Sequence, residues 1–237
     1  AIDGHAVVTL PGKDNDITMA GAAVLAGKAT GGTLAVMGDG NVATLTGAFV
    51  SVSGGELALT GTKHQVVLAG DASLVMLSNA KTSTVHVFGD DNALTANKAT
   101  VYLAEGAELD LAGTGDKVTL TGEATLDAEG SAHVIDVYGS GNVVQVNLST
   151  IYERGLADVA LSGSGNTWKV TKDNSPLVPG EQVALDFAEQ LLQAAWAGHE
   201  QVIDAGFSPE RHLTDDPVVA ELTGTSTASA SWLLSIE

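Results

Sequence analysis

The chain has 237 residues, 44% hydrophobic but only 4% aromatic, with a formal charge of −19 and no cysteine. Without cysteine there is no disulfide framework and no thiolate site, and without a basic stripe nucleic acid and anionic membrane surfaces are disfavoured partners. No apolar run approaches the ~20 residues of a membrane-spanning helix, so membrane insertion is not expected.

From the N-terminus a pattern recurs: apolar-x-Gly-x-x-(Asn/Asp/His)-x-apolar-x-apolar. It begins as Leu10, Gly12, Asn15, Ile17 and Met19, and returns at Val36/Gly38/Asn41/Leu45, at Leu59/Gly61/His64/Val66/Leu68 and at Val87/Gly89/Asn92/Leu94. Three more copies centre on Gly113/Asp116, Gly139/Asn142 and Gly163/Asn166, which gives the motif glycines a period of roughly 25 residues. Apolar residues alternate within each copy, as in a half-buried strand. A further apolar run follows, as in Phe49–Val52, Leu74–Leu77 and Val101–Leu103. Three strands per ~25 residues predict one coil of a triangular solenoid. Residues 1–172 are therefore expected to form an all-β, right-handed parallel β-helix of about seven coils, roughly 35 Å long at the strand spacing. Glycine supplies the φ > 0 that sharp corners need, and Asn tolerates it better than most residues. The Asn column reads as scaffold, with side chains hydrogen-bonding from coil to coil.

Residues 173–237 differ. Asn174-Ser175-Pro176 and Pro179-Gly180 stop the repeat. Val183, Phe187, Ala188, Leu191, Leu192 and Ala195 then fall on one face of a predicted helix over 181–197, ended by Gly198. A shorter helix is predicted over 217–222, with Asp216 as N-cap. A helical cap over the last coil would cover its open strand edge.

Alignment of the copies on glycine places His86, Asp110 and Asp136 in one outward column, three residues before the glycine. Glu108 lies in the column beside it, with Glu56 and Asp158. Clustered carboxylates repel unless a cation or shared proton relieves them. The alternatives to a plain solvated face are a metal site, or the acid–base pair of a polysaccharide lyase or hydrolase. No Lys or Arg falls in these columns and aromatics are scarce, which disfavours a sugar-cleaving site. An outward column of Thr18, Thr44, Thr95 and Thr119 is interrupted by Val67, Gln145 and Lys169 and reads as ordinary exposed strand. Gly139-Ser140-Gly141-Asn142 belongs to the repeat and is no phosphate loop.

Gly12-Lys13-Asp14-Asn15-Asp16 and Gly38-Asp39-Gly40-Asn41 resemble, locally, the calcium-binding nonapeptide repeats of secreted proteins. Those recur every nine residues; here the spacing is ~25, which leaves a few calcium ions at Asp14, Asp16, Asp39, Asp90 or Asp91 as the expectation. Residues 176–237 carry ten acidic residues and one basic, Arg211, and end in a Ser/Thr/Ala-rich stretch followed by Trp232-Leu233-Leu234-Ser235-Ile236-Glu237. That end resembles the uncleaved C-terminal signals of bacterial type I secretion substrates. The resemblance implies contact with a secretion machinery and an extracellular or cell-surface location. The function expected is a non-enzymatic structural or adhesive module with carbohydrate or surface-protein partners, the alternative being the polysaccharide-active enzyme.

Overall fold

The computed structural model describes residues 2–3, 6–9, 12–77, 79–155 and 157–171. Among them, nineteen strands run from Ile2–Asp3 to Thr167–Thr171, every pairing is parallel, and no helix occurs. The parallel β-solenoid is therefore present. The predicted helices over 181–197 and 217–222 lie outside the described residues.

The coil differs from the one expected. Nine steps of in-register pairing carry one sheet from Asp16 through Thr33, Phe49, Gln65, Thr84, Thr100, Lys117, Val134 and Thr150 to Thr167. The longest step, from Gln65 to Thr84, holds a turn at Ala80–Ser83. A second sheet is built from the alternating strands, including Glu56–Thr60, Ser73–Met76, Asn92–Asn97, Glu108–Thr114, Thr125–Ser131 and Asn142–Val146. A coil thus holds two strands rather than three, and its period is roughly 17 residues instead of roughly 25 residues. There are about nine coils rather than seven. The sequence repeat is real but spans one and a half coils, so its third apolar run is the first strand of the next half-coil. Successive repeat glycines consequently alternate between the two edges. Gly38, Gly89 and Gly139 stack on Gly21, Gly70 and Gly122, whereas Gly61, Gly113 and Gly163 stack on Leu45, Ala96 and Val146.

The interior is filled by aliphatic ladders. In the first sheet Leu34, Val50, Val66, Val85, Val101, Val118, Ile135 and Ile151 stack in register, all buried, with Val36, Val52, Leu68, Val87, Leu103, Leu120 and Val137 beside them. Leu57, Leu74, Leu94 and Leu111 meet them from the second sheet. Each such side chain contributes roughly 1.5–3 kcal/mol by burial. Two sheets separated by ~10 Å leave room for branched aliphatics but little for rings. All three tyrosines, Tyr102, Tyr138 and Tyr152, accordingly sit at outward positions of the first sheet, as do Phe49 and Phe88.

At the corners the repeat glycines do supply positive φ, from 70° at Gly89 to 142° at Gly113. A second positive φ falls not on the polar corner residue but on the one before it: Asp14 before Asn15, Lys63 before His64, Asp91 before Asn92, Ala132 before His133 and Leu148 before Ser149. The Asn itself turns inward. Asn142 Nδ2 donates to the carbonyls of Tyr138 (3.0 Å) and Gly139 (3.2 Å), and its Oδ1 accepts from Ala124 N of the preceding coil (3.3 Å). Asn41 does the same with Gly38 O (2.6 Å) and Ala23 N (3.3 Å). Asn41 and Asn142 thus close their own turns and clamp them to the coil before, satisfying backbone groups that would otherwise be buried unpaired; Asn92 closes its turn through Phe88 O and Gly89 O and reaches the coil after it through Glu108 O.

Candidate functional site

The alternation of repeats between faces decides the fate of the proposed outward cluster. His86 and Asp136 point out from the first sheet; Asp110 and Glu108 point out from the second. The four residues do not converge. Even His86 and Asp136 are separated by Tyr102 and Thr119 in the same column, three coil steps or about 14 Å at the strand spacing.

Each has a different surrounding. The His86 ring stacks on Tyr102 with centroids 5.1 Å apart and planes 12° from parallel. Burial lowers its pKa from 6.5 to about 4, so it is neutral at pH 7, and its Nδ1 has no hydrogen-bond partner among the described residues. Asp136, also buried, accepts from Arg154 Nε at 2.7 Å and from the Arg154 terminal nitrogen. Arg154 and Lys169 lie over the Tyr152 ring, 4.8 and 5.1 Å from its centroid, near enough for cation–π attraction. Register through Tyr152 places Lys169 in the same column as Asp136. The expectation that no cation enters the carboxylate column is therefore corrected.

On the second sheet Asp110 and Glu108 are exposed, and the in-register neighbour of Asp110 is Asp127, which the glycine alignment missed. Their separation by one true coil was the available signal. Gln145 Nε2 donates to Asp127 at 3.1 Å, and Glu129 lies two positions along the same strand. These side chains stand in rows along the outward side of the second sheet.

The calcium candidates sit at corners. Asp14 and Asp91 occupy left-handed turn positions (φ 55° and 54°), a conformation Asp tolerates better than most residues. Asp16 accepts a hydrogen bond from Thr33 Oγ1 at 2.5 Å; Asp39 and Asp90 are exposed on the same edge as Asp91, opposite the edge that holds Asp14. Among the described residues no three His, Asp or Glu side chains come together as a metal-binding group.

One ionisable pair went unseen in the sequence. Asp116 and His133 occupy successive corners of one edge, wholly buried, with His133 Nδ1 3.3 Å from Asp116 Oδ2. Asp116 Oδ1 accepts from Ala99 N at 2.8 Å. With no exposed surface the pair reaches no substrate; Asp116 ties its corner to the coil before through Ala99 N, while neither His133 ring nitrogen has a hydrogen-bond partner among the described residues.

The chain matches no protein-family model and no curated protein sequence.

Proposed function

We propose that this chain is a non-enzymatic structural or adhesive module of a bacterial secreted or cell-surface protein, exported through its acidic C-terminus. The observation that carries the reading is that the outward ionisable residues are distributed in rows over two opposite faces rather than gathered at one point. Acid–base catalysis needs two groups within reach of one bond, which the set expected from the sequence, His86, Asp110 and Asp136, does not provide; repeated rows suit contact with an extended partner such as a polysaccharide or a surface protein. Stacked coils give a scaffold about 43 Å long, from nine steps of about 4.8 Å. The C-terminal resemblance supports the export part.

The test incubates the full chain with a panel of bacterial and plant polysaccharides. The expected result is retention on one or more of them with no new reducing ends and no unsaturated product. Cleavage that disappears in Asp136→Asn or Asp110→Asn would replace the module by the enzyme. Export is tested separately, in a host with a type I system: deletion of 223–237 should keep the folded protein inside the cell, and undiminished export would remove that part of the proposal.

A further inference from the structure

No basic stripe is visible in the sequence, but the true coil assembles one. Lys63, Lys81, Lys98 and Lys117 are exposed along one edge of four successive coils. Their corners are joined coil to coil: Lys63 N donates to Thr82 Oγ1, Ala80 N to Asn97 O and Lys98 N to Thr114 O. The other edge of the same coils carries Asp71, Asp91, Glu105 and Glu123, all exposed. There Asp71 N donates to Asp90 O, and Gly106 N to Gly122 O. One first-sheet strand runs between each lysine and its carboxylate: Gln65–Ala69, Thr84–Phe88, Thr100–Leu103 and Lys117–Leu120. Each of these coils is therefore basic at one edge and acidic at the other. The lysines look scattered in the sequence because they follow the coil of roughly 17 residues, not the more conspicuous repeat of roughly 25.

Two features set these rows apart from an ordinary solvated surface. Among the described residues none of the eight side chains has an ion pair, so like charges rise at the ~4.8 Å strand spacing with nothing to relieve them. The backbone supplies the second feature. Lys63, Asp71, Asp91, Lys98 and Glu123 have φ between 45° and 62°, a left-handed conformation that favours glycine over Lys or Glu. Glycine does occupy that position in adjoining coils, Gly47 before Lys63 and Gly115 after Lys98. Charged side chains are thus held outward at corners where the fold alone favours glycine, and strain of this kind gathers where it serves a function.

We propose that the two edges form a self-association surface, the lysine row of one copy docking against the carboxylate row of a second copy beside it. Complementarity identifies the occupant. A sideways shift brings the four lysines of one copy level with Asp71, Asp91, Glu105 and Glu123 of the other. Both rows rise by the same coil step, so matching one pair matches all four. Within a single copy the rows cannot meet, because a five-residue strand holds the edges about 17 Å apart. The contact is heterologous and leaves one row free on each outer side, so it repeats into a raft of parallel solenoids instead of closing as a dimer. The charge of −19 opposes approach at long range. At ~0.1 M salt, however, fields reach only about 10 Å, and within that distance the facing rows are opposite in sign. Exposed ion pairs are individually weak, so the raft belongs to high protein concentration and dissolves with added salt. An acidic polymer would engage the lysine row alone and leave the carboxylate row without a counterpart, which favours the second copy.

This inference goes beyond the adhesive reading and does not rest on it. The test is sedimentation of the full chain over a concentration series at about 0.1 M and about 1 M salt, between which the screening length falls from about 10 Å to about 3 Å. Reversible association is expected at the lower salt and a monomer at the higher. A carbodiimide, which condenses a lysine amine with a carboxylate in contact, should join Lys98 to Glu105 or Lys117 to Glu123 between isotopically distinct copies. The variant Lys63→Glu/Lys81→Glu/Lys98→Glu/Lys117→Glu has two acidic edges, and Asp71→Lys/Asp91→Lys/Glu105→Lys/Glu123→Lys has two basic ones. Each alone should associate at least ~10-fold more weakly. Their equal mixture should associate again, which a misfolded variant would not do. A chain that stays monomeric throughout, or association that both variants leave unchanged, overturns the proposal. So does a monomer that binds dextran sulfate through the four lysines, since the row then serves an acidic polymer.

Discussion

Replacing Gly113 by alanine should break the solenoid locally, and the cost can be worked from the corner it occupies. Gly113 has φ +142°, outside the range of L side chains, and a Cβ there would sit on the backbone carbonyl oxygen of Ala96 in the coil before. Gly130 stacks on Gly113 in the same way one coil later, so the column has no slack to absorb a shift. Backbone strain of this kind costs about 1–3 kcal/mol. Pushing the coils apart also weakens the clamps beside it, Lys98 N to Thr114 O (3.1 Å) and Ala99 N to Asp116 Oδ1 (2.8 Å). At ~1 kcal/mol for each hydrogen bond, the total is roughly 3–5 kcal/mol. Gly47 is the control: φ +64° with nothing within 4 Å of an added Cβ, so Gly47→Ala should cost only the left-handed penalty of about 1–2 kcal/mol. Urea unfolding of the full chain, followed by circular dichroism, gives both midpoints. Hydrogen exchange in Asn92–Asn97 and Glu108–Thr114 should show the loss concentrated there, since each coil contacts only its neighbours. Equal midpoints for the two variants would refute the reasoning about the stacked corner.

Three further outcomes follow from the buried polar groups. Burial lowers His64 and His86 from 6.5 to about 4; between those values the unfolded chain binds protons that the folded chain does not. Their contribution is therefore complete above pH 6.5 and is lost as pH falls towards 4, at about 1.4 kcal/mol per pH unit for each histidine. His64→Asn, which installs the residue found at Asn166, the corner that follows Gly163 on the same edge, should flatten that slope in acid unfolding while keeping the fold; an unchanged slope would contradict the assignment. Arg154→Ala leaves the buried Asp136 without its ion pair and should cost about 1–3 kcal/mol, whereas adding Asp136→Asn should recover most of it in thermal unfolding; simple additivity would show that the pair is not coupled. Asp116→Ala removes the acceptor of Ala99 N and should cost about 1–3 kcal/mol, while Asp116→Asn retains an acceptor and should cost clearly less in the same measurement.

The sequence showed the solenoid because its signals are local: alternating valines and leucines, and a glycine three residues before a polar corner. It misled about the size of the coil because the most conspicuous motif recurs every third half-coil. Ala48, Ala99 and Ala107, buried near corners that lack the full motif, carry no glycine–asparagine mark, so the intervening turns were invisible. That single error placed His86 beside Asp110 and hid both the Asp110–Asp127 neighbours and the Asp116–His133 pair, each separated by one true coil. Asp14 and Asp91 were legible as acidic corner residues, but only the backbone shows that they occupy left-handed turns. The low exposure of Val67, outward on the first sheet, was not legible at all, since an outward valine reads the same in the sequence whatever its exposure.

The split of the acidic residues between two faces is the claim on which the functional account rests, and spin labels test it directly because the chain has no native cysteine. Labels at Asp110→Cys and Asp127→Cys should sit on adjacent strands about 4.8 Å apart and give strong dipolar broadening. Labels at Asp110→Cys and Asp136→Cys, on opposite sheets, should give little. Broadening of the second pair without the first would restore the larger, three-stranded coil and the converging carboxylates, and with them the enzyme.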